Sequence, residues 1–167
     1  MMRSLIFGGL EAVYDSEYKR VDEEYNPYGC FELSREQMKE NGFLGLPERK
    51  GKVCKVMYKQ LCKIDPSSQY KIALMLRDPR DIRESQKRAI GAAIYPAHDD
   101  RVYWYEMQEL MKWMDEQPNI SYVPIWAEDL IYSSVKTLSK LNAQNWPTDP
   151  EKASLAIEPE LWKKWNS

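Results

Sequence analysis

The fold is decided by the stretch Tyr70–Arg88, which reads YKIALMLRDPRDIRESQKR. Its apolar run Ile72–Leu76 ends abruptly at Arg77, and a charged segment compatible with a helix begins at Pro79. A nearly continuous apolar run is typical of a parallel strand that is covered on both faces. Proline suits the first turn of a helix, because the N–H group that it lacks has no helical partner there. The stretch therefore predicts a buried strand at 70–76 that delivers Arg77 and a helix to the carboxyl edge of a sheet, where open α/β sheets bind ligands.

Strand and helix patterns alternate along the rest of the chain. Two further strands are predicted at 52–57 and 120–126, and Pro124 favours an edge position or a bulge for the second. Helices and shorter pieces are predicted as follows: a short helix over 1–10, a short strand over 11–14, helices from Ser34, from Pro79 to about Ala92, over 99–117 and over 128–141, and short helical turns from Trp146. This alternation predicts an α/β fold with a parallel sheet and helices on both faces.

Composition and charge restrict the class of protein. The 167 residues suit one domain, and a net charge of -2 gives no general reason to expect nucleic-acid or anionic-membrane partners. No apolar run reaches the roughly 18–20 residues of a membrane span, and the opening MMRSLIFGGL is too short for a signal peptide. Cys30, Cys54 and Cys62 lack the pair spacing of a metal site, which favours reduced thiols. We expect a cytoplasmic protein without a metal.

The residues around Arg77 resemble the sulfotransferase family, in particular its compact bacterial and phage members. The 3′-phosphate motif of that family is an arginine at a strand end, then Asp or Asn, then Pro, with a serine eight residues after the arginine. Here Arg77, Asp78, Pro79 and Ser85 stand in that order. The resemblance implies a P-loop-type fold and transfer of a sulfuryl group from 3′-phosphoadenosine 5′-phosphosulfate (PAPS) to a hydroxyl or amine. It also implies that Arg77 and Ser85 bind the cofactor, since a guanidinium makes bidentate, charge-assisted contacts with phosphate.

Four further segments are similar to family segments and occur in the expected order. They are Asn26–Glu32, Lys52–Met57, Tyr122–Leu130 and Ile157–Leu161. Together with the motif at Arg77 they cover nearly the whole chain, so the resemblance implies a single sulfotransferase-like domain over 1–167.

One part of the family pattern is absent. The family begins with a strand and a loop resembling Gly-x-Pro-Arg-Ser-Gly-Thr-Ser, which wraps the 5′-phosphosulfate with backbone N–H groups. This chain has no such loop, and Met1–Leu5 is similar to the helix that follows it. The domain is therefore expected to be N-terminally truncated and to have little or no transferase activity alone. Loss of a central strand also predicts either a gap between 52–57 and 70–76 or direct pairing of the two.

Three classes of function stay open. The first is an enzyme whose reading frame was assigned too short, so that the phosphate loop is encoded upstream. The second is a non-catalytic member that binds adenosine 3′,5′-bisphosphate or a protein partner. The third is another phosphate-handling enzyme such as a nucleotide kinase, which the absence of a Gly-Lys-Ser/Thr sequence disfavours. The oligomeric state and the acceptor are left open.

The role of the charged residues also has alternatives. Arg77 could be an exposed strand-end arginine paired with Asp78 or Asp81, without any ligand. Arg80 and Arg83 could form a solvated helix face with Glu84. No catalytic base is assigned, because spacing does not choose among five conceivable side chains: His98, Asp15, Glu17, Asp22 and Glu24.

Overall fold

The computed structural model describes residues 1–14, 31, 33, 49–90 and 100–160. The helix predicted from Ser34 lies outside these ranges. The elements in chain order are α1 (Met2–Phe7), a 3₁₀ helix (Tyr58–Lys63), β1 (Tyr70–Leu76), α2 (Pro79–Ile90), α3 (Asp100–Asp115), β2 (Ile120–Trp126), α4 (Ala127–Tyr132), α5 (Ser134–Asn142) and α6 (Pro150–Ser154). The predicted α/β class and the strands at 70–76 and 120–126 are confirmed.

The two strands form a parallel pair. Their register runs from Tyr70 opposite Ile120 to Leu76 opposite Trp126. The N–H group of Tyr70 donates to the carbonyl of Asn119 at 2.8 Å. Because successive residues of a strand direct their backbone groups to opposite edges, Pro124 has its missing N–H on the outer edge of β2. Of the described residues, only β1 pairs with β2, so the edge position predicted from Pro124 agrees with the sheet.

Both faces of the pair are covered by apolar side chains. On one face Val123 and Ile125 pack with residues of α1, α4, α5 and α6, and Ile125 is completely buried. On the other face Leu74 and Leu76 pack with the 3₁₀ helix and with Met107 of α3. The near-continuous apolar sequence of β1 follows from this covering on two sides.

Within the described residues, the segments 11–14 and 52–57, which were predicted as strands, form isolated bridges and no regular strand. Of the described residues, Ala12 and Val53 form one isolated parallel bridge. The extended stretch around Val53 is short because turns limit it at both ends. Before it, the N–H of Lys52 donates to the carbonyl of Arg49 at 3.0 Å; after it, Met57 is the N-cap of the 3₁₀ helix. The segment 52–57 does not pair with β1 in the described structure, and both line one open groove.

The single helix predicted over 128–141 is also wrong, because the chain breaks it at Ser133. Ser133 has φ −143° and ψ 48°, which is outside the helical region. The carbonyl of Asp129 accepts both the N–H of Ser133 at 2.9 Å and the hydroxyl of Thr137 at 3.0 Å. The buried Thr137 hydroxyl thus satisfies a carbonyl at the end of α4 and holds α5 against it.

Asn119 ties the amino ends of the two strands together. Its side-chain amide donates to the carbonyl of Ser68 at 2.8 Å, and Asn119 is buried. We expect Asn119→Ala to lower the free energy of unfolding by about 1 kcal/mol, because a partly buried hydrogen bond is lost. Urea unfolding measures this, with the exposed Asn142→Ala as the matched control. Equal stability of the two variants would contradict a structural role for the Asn119 amide.

Candidate functional site

Arg77 is the first residue after β1 and lies at the carboxyl edge of the strand pair. Its side chain is half-buried, and burial lowers the pKa of the guanidinium. The carboxylates of Asp81 and Glu128 act in the opposite direction and favour the charged form. Asp81 belongs to the first turn of α2, and Glu128 to the first turn of α4, directly after β2. The edge therefore holds a half-buried cation on which carboxylates from two different helices act.

Tyr103 lies next to Arg77 and is part of a group of three aromatic side chains. The hydroxyl oxygen of Tyr103, on α3, accepts a hydrogen bond from the backbone N–H of Arg77. Burial raises the pKa of Tyr103, and that hydrogen bond opposes the rise. The Trp104 ring lies 4.9 Å from the Tyr103 ring and 5.5 Å from the ring of Trp126, the last residue of β2. Sequence reasoning did not assign Tyr103 or Glu128 to the site. Glu128 could have been assigned from its position directly after the second predicted strand. Tyr103 could not, because it reaches Arg77 through the packing of α3.

Asp78 stands directly before α2, and its side chain binds the start of this helix. Its carboxylate accepts the backbone N–H of Arg80 at 2.8 Å and the Arg80 guanidinium Nη2 at 2.7 Å. These hydrogen bonds, with the Arg80 side chain contributing most, lower the pKa of Asp78 to about 2. Of the two carboxylates predicted as alternative partners of Arg77, Asp78 pairs with Arg80 at the helix start, whereas the negative charge of Asp81 does act on Arg77.

The lowered pKa of Asp78 predicts that the folded chain loses a little stability at acidic pH. The pKa of Asp78 is about 2 in the folded chain against an ordinary 3.8, so its contribution is complete above about pH 4 and is lost as the pH falls through about 2. Asp78→Asn keeps the capping geometry but removes the charge. We expect the variant to lose less stability between pH 4 and 2 than the wild-type chain, by under about 1 kcal/mol because the pair is exposed. Urea unfolding across this pH range measures the difference, and parallel pH profiles would contradict it.

Helix α2 carries Ser85 and the remaining charges of the predicted motif. Ser85 is partly buried and stands six residues after Pro79, about 9 Å along the helix axis. The guanidinium of Arg83 donates to the Asp100 carboxylate, joining α2 to the start of α3, and Lys87 pairs with Glu84 at 3.0 Å. Charged side chains of this helix are therefore engaged in local ion pairs. A group bound by both Arg77 and Ser85 would lie beside the helix.

Other predicted candidates lie outside the described residues. They are His98, Asp15, Glu17, Asp22 and Glu24. Within the described ranges no three His, Cys, Asp or Glu side chains come together as a metal site. No helix in the described part of the chain has the length and apolar character needed to cross a bilayer.

Comparisons with family models, with curated proteins and with solved structures find no match for this chain. Function therefore rests on the residues at the sheet edge and on the resemblance that they carry.

Proposed function

We propose that this chain is a sulfotransferase-like protein that binds the adenosine 3′,5′-bisphosphate portion of PAPS. Arg77 and Ser85 are the residues proposed to hold the 3′-phosphate. One observation carries the proposal: Arg77 stands directly after a parallel strand and two residues before the helix that bears Ser85. This is the order of strand, arginine, helix and serine that the 3′-phosphate motif requires.

The environment of Arg77 supports anion binding on physical grounds. A half-buried guanidinium interacts more strongly with an anion than an exposed one, because less water screens the charges. A phosphate must compete with the carboxylates of Asp81 and Glu128, which act on Arg77 in the ligand-free chain. The phosphate carries up to two negative charges and three acceptor oxygens that fit the planar guanidinium, which favours it over a carboxylate.

We propose that nucleotide binding occurs with little or no sulfuryl transfer by this chain. The sequence of residues 1–167 contains no Gly-x-Pro-Arg-Ser-Gly-Thr-Ser loop to stabilise charge on the transferred group, and that electrostatic contribution is usually the largest one in such catalysis. Incubating the purified chain with PAPS and a phenol or an amine is expected to give no product above the buffer control. Sustained turnover would contradict this part of the proposal.

Titration calorimetry tests the binding part of the proposal. Adenosine 3′,5′-bisphosphate is expected to give a saturable isotherm, with an affinity at least about tenfold higher than that of adenosine 5′-monophosphate, since the 3′-phosphate adds charge-assisted hydrogen bonds. Sodium sulfate at the same ionic strength serves as the control for unspecific anion binding. Absence of saturable binding at millimolar nucleotide, or equal affinity for the two nucleotides, would overturn the assignment of this edge to a 3′-phosphate.

A further inference from the structure

A tyrosine from another element lies at the carboxyl end of β1. Tyr70 directs its N–H to the carbonyl of Asn119, directly before β2, and the direction of backbone groups alternates along a strand. The N–H of Arg77, seven residues later, therefore points away from β2. The hydroxyl oxygen of Tyr103, on α3, accepts this N–H. Tyr103 thus brings a side-chain hydroxyl to the end of the strand that carries Arg77.

The hydroxyl of Tyr103 keeps a proton that it can donate. A phenol hydroxyl both donates and accepts hydrogen bonds, so the bond from Arg77 leaves the O–H group as a donor. Burial raises the pKa of Tyr103 above the ordinary value of 10, the hydrogen bond from Arg77 opposes the rise, and the charge of Glu128 adds to it. The side chain is therefore neutral at physiological pH and can donate its proton to an acceptor.

Glu128 indicates where an anion acts on both side chains. Its carboxylate favours the charged form of Arg77 and disfavours ionisation of Tyr103. The strand register places Leu76 opposite Trp126, so Arg77 and Glu128 follow the two strands at the same edge of the sheet. A phosphate at this edge has more negative charge than a carboxylate and enough acceptor oxygens for both donors.

Packing fixes the ring of Tyr103. The ring packs against the core cluster that contains Leu74, Leu76 and Met107, and the Trp104 ring meets it edge-on at 4.9 Å. A tyrosine has only two side-chain dihedral angles to restrict, and packing already restricts them here. The hydroxyl is therefore a preorganised donor, which reduces the entropy lost when a ligand binds.

We propose that Tyr103 is a third residue of the nucleotide site and that its O–H donates a hydrogen bond to the 3′-phosphate bound by Arg77. This inference rests on the proposed function and adds to that site a neutral donor from α3. In the complex the Tyr103 oxygen accepts the Arg77 N–H while its proton is donated to the phosphate. Because the guanidinium supplies the charge that holds the phosphate, the hydroxyl contributes only when Arg77 is present.

Tyr103→Phe tests the inference, because it removes the hydroxyl and keeps the ring. Titration calorimetry is expected to show about tenfold weaker binding of adenosine 3′,5′-bisphosphate, since a hydrogen bond to a charged group is lost, and unchanged binding of adenosine 5′-monophosphate. Tyr105→Phe is the matched control, because Tyr105 lies on the same helix and is 63% exposed; we expect it to change neither affinity. An unchanged affinity of Tyr103→Phe for the bisphosphate would overturn this inference alone, whereas absence of nucleotide binding by the wild-type chain would overturn the proposed function as well.

A fluorinated tyrosine at position 103 separates donation to the ligand from a purely structural role at Arg77. Ring fluorination makes a phenol a stronger hydrogen-bond donor and a weaker acceptor. With 3-fluorotyrosine at this position, below the pKa of the fluorinated phenol, we expect adenosine 3′,5′-bisphosphate to bind as tightly as to the wild-type chain or a few-fold more tightly. If the hydroxyl served only as the acceptor of the Arg77 N–H, the fluorinated chain would bind the bisphosphate more weakly, and that result would overturn the inference.

Discussion

Arg77→Ala is expected to weaken the binding of adenosine 3′,5′-bisphosphate by roughly 30-fold or more. Removing one member of a desolvated, hydrogen-bonded charge pair costs about 2–5 kcal/mol, and each 1.4 kcal/mol is a factor of ten in affinity. The side chain is half-buried at the end of β1, so its contact with a phosphate is less screened than that of a surface arginine. Titration calorimetry at constant ionic strength measures the change in Kd.

Two other variants separate the geometry of Arg77 from its charge. Arg77→Lys keeps the charge but not the planar fork that matches a phosphate, so we expect an intermediate loss of affinity. Arg80→Ala removes an arginine three residues away whose guanidinium is exposed and paired with Asp78; we expect it to change the affinity less than about threefold. If Arg80→Ala had the same effect as Arg77→Ala, the binding would be a general response to positive charge.

Ile125→Ala is expected to lower the free energy of unfolding by about 2–5 kcal/mol. Ile125 is completely buried near the carboxyl end of β2, and its truncation removes apolar contacts and leaves a cavity. The loss is a large fraction of the 5–15 kcal/mol that stabilises a typical domain, and it corresponds to a fall in Tm of about 4 °C or more for a chain of this length. Urea and thermal unfolding measure the two quantities.

The matched control is Val135→Ala on α5. Val135 is 40% exposed, so removal of its methyl groups creates no cavity, and we expect a change within about 0.5 kcal/mol. If both variants lost the same stability, Ile125 would not occupy the core between β2 and the helices.

The strands at 70–76 and 120–126 could be predicted because their own sequences are largely apolar. The conformation of the segment 52–57 could not, since lysines at every third position interrupt its apolar residues and Val53 bridges to a distant partner, Ala12. The break at Ser133 was missed for a similar reason. It is stabilised by the hydroxyl of Thr137, which lies on the next helix and bonds a carbonyl of the preceding one.

In the candidate site, too, the local sequence predicts some residues and not others. The position of Arg77 follows from the end of its own strand, and Ser85 from its place in the helix after Pro79. The neighbours Tyr103 and Glu128 reach Arg77 only through the packing of α3 and the pairing of β2 with β1. Such contacts join residues more than twenty positions apart, and no local pattern encodes them.

The central claim is that Arg77 holds a 3′-phosphate, and the nucleotide preference of two chains tests it most directly. Calorimetry gives the ratio of affinities for adenosine 3′,5′-bisphosphate and adenosine 5′-monophosphate in the wild-type chain and in Arg77→Ala. We predict a ratio of roughly 30 or more in the wild-type chain, equal to the loss expected for Arg77→Ala, and a ratio near one in the variant, because only the bisphosphate presents the group that Arg77 contacts. A ratio that is unchanged by the substitution would place the 3′-phosphate elsewhere and contradict the proposed function.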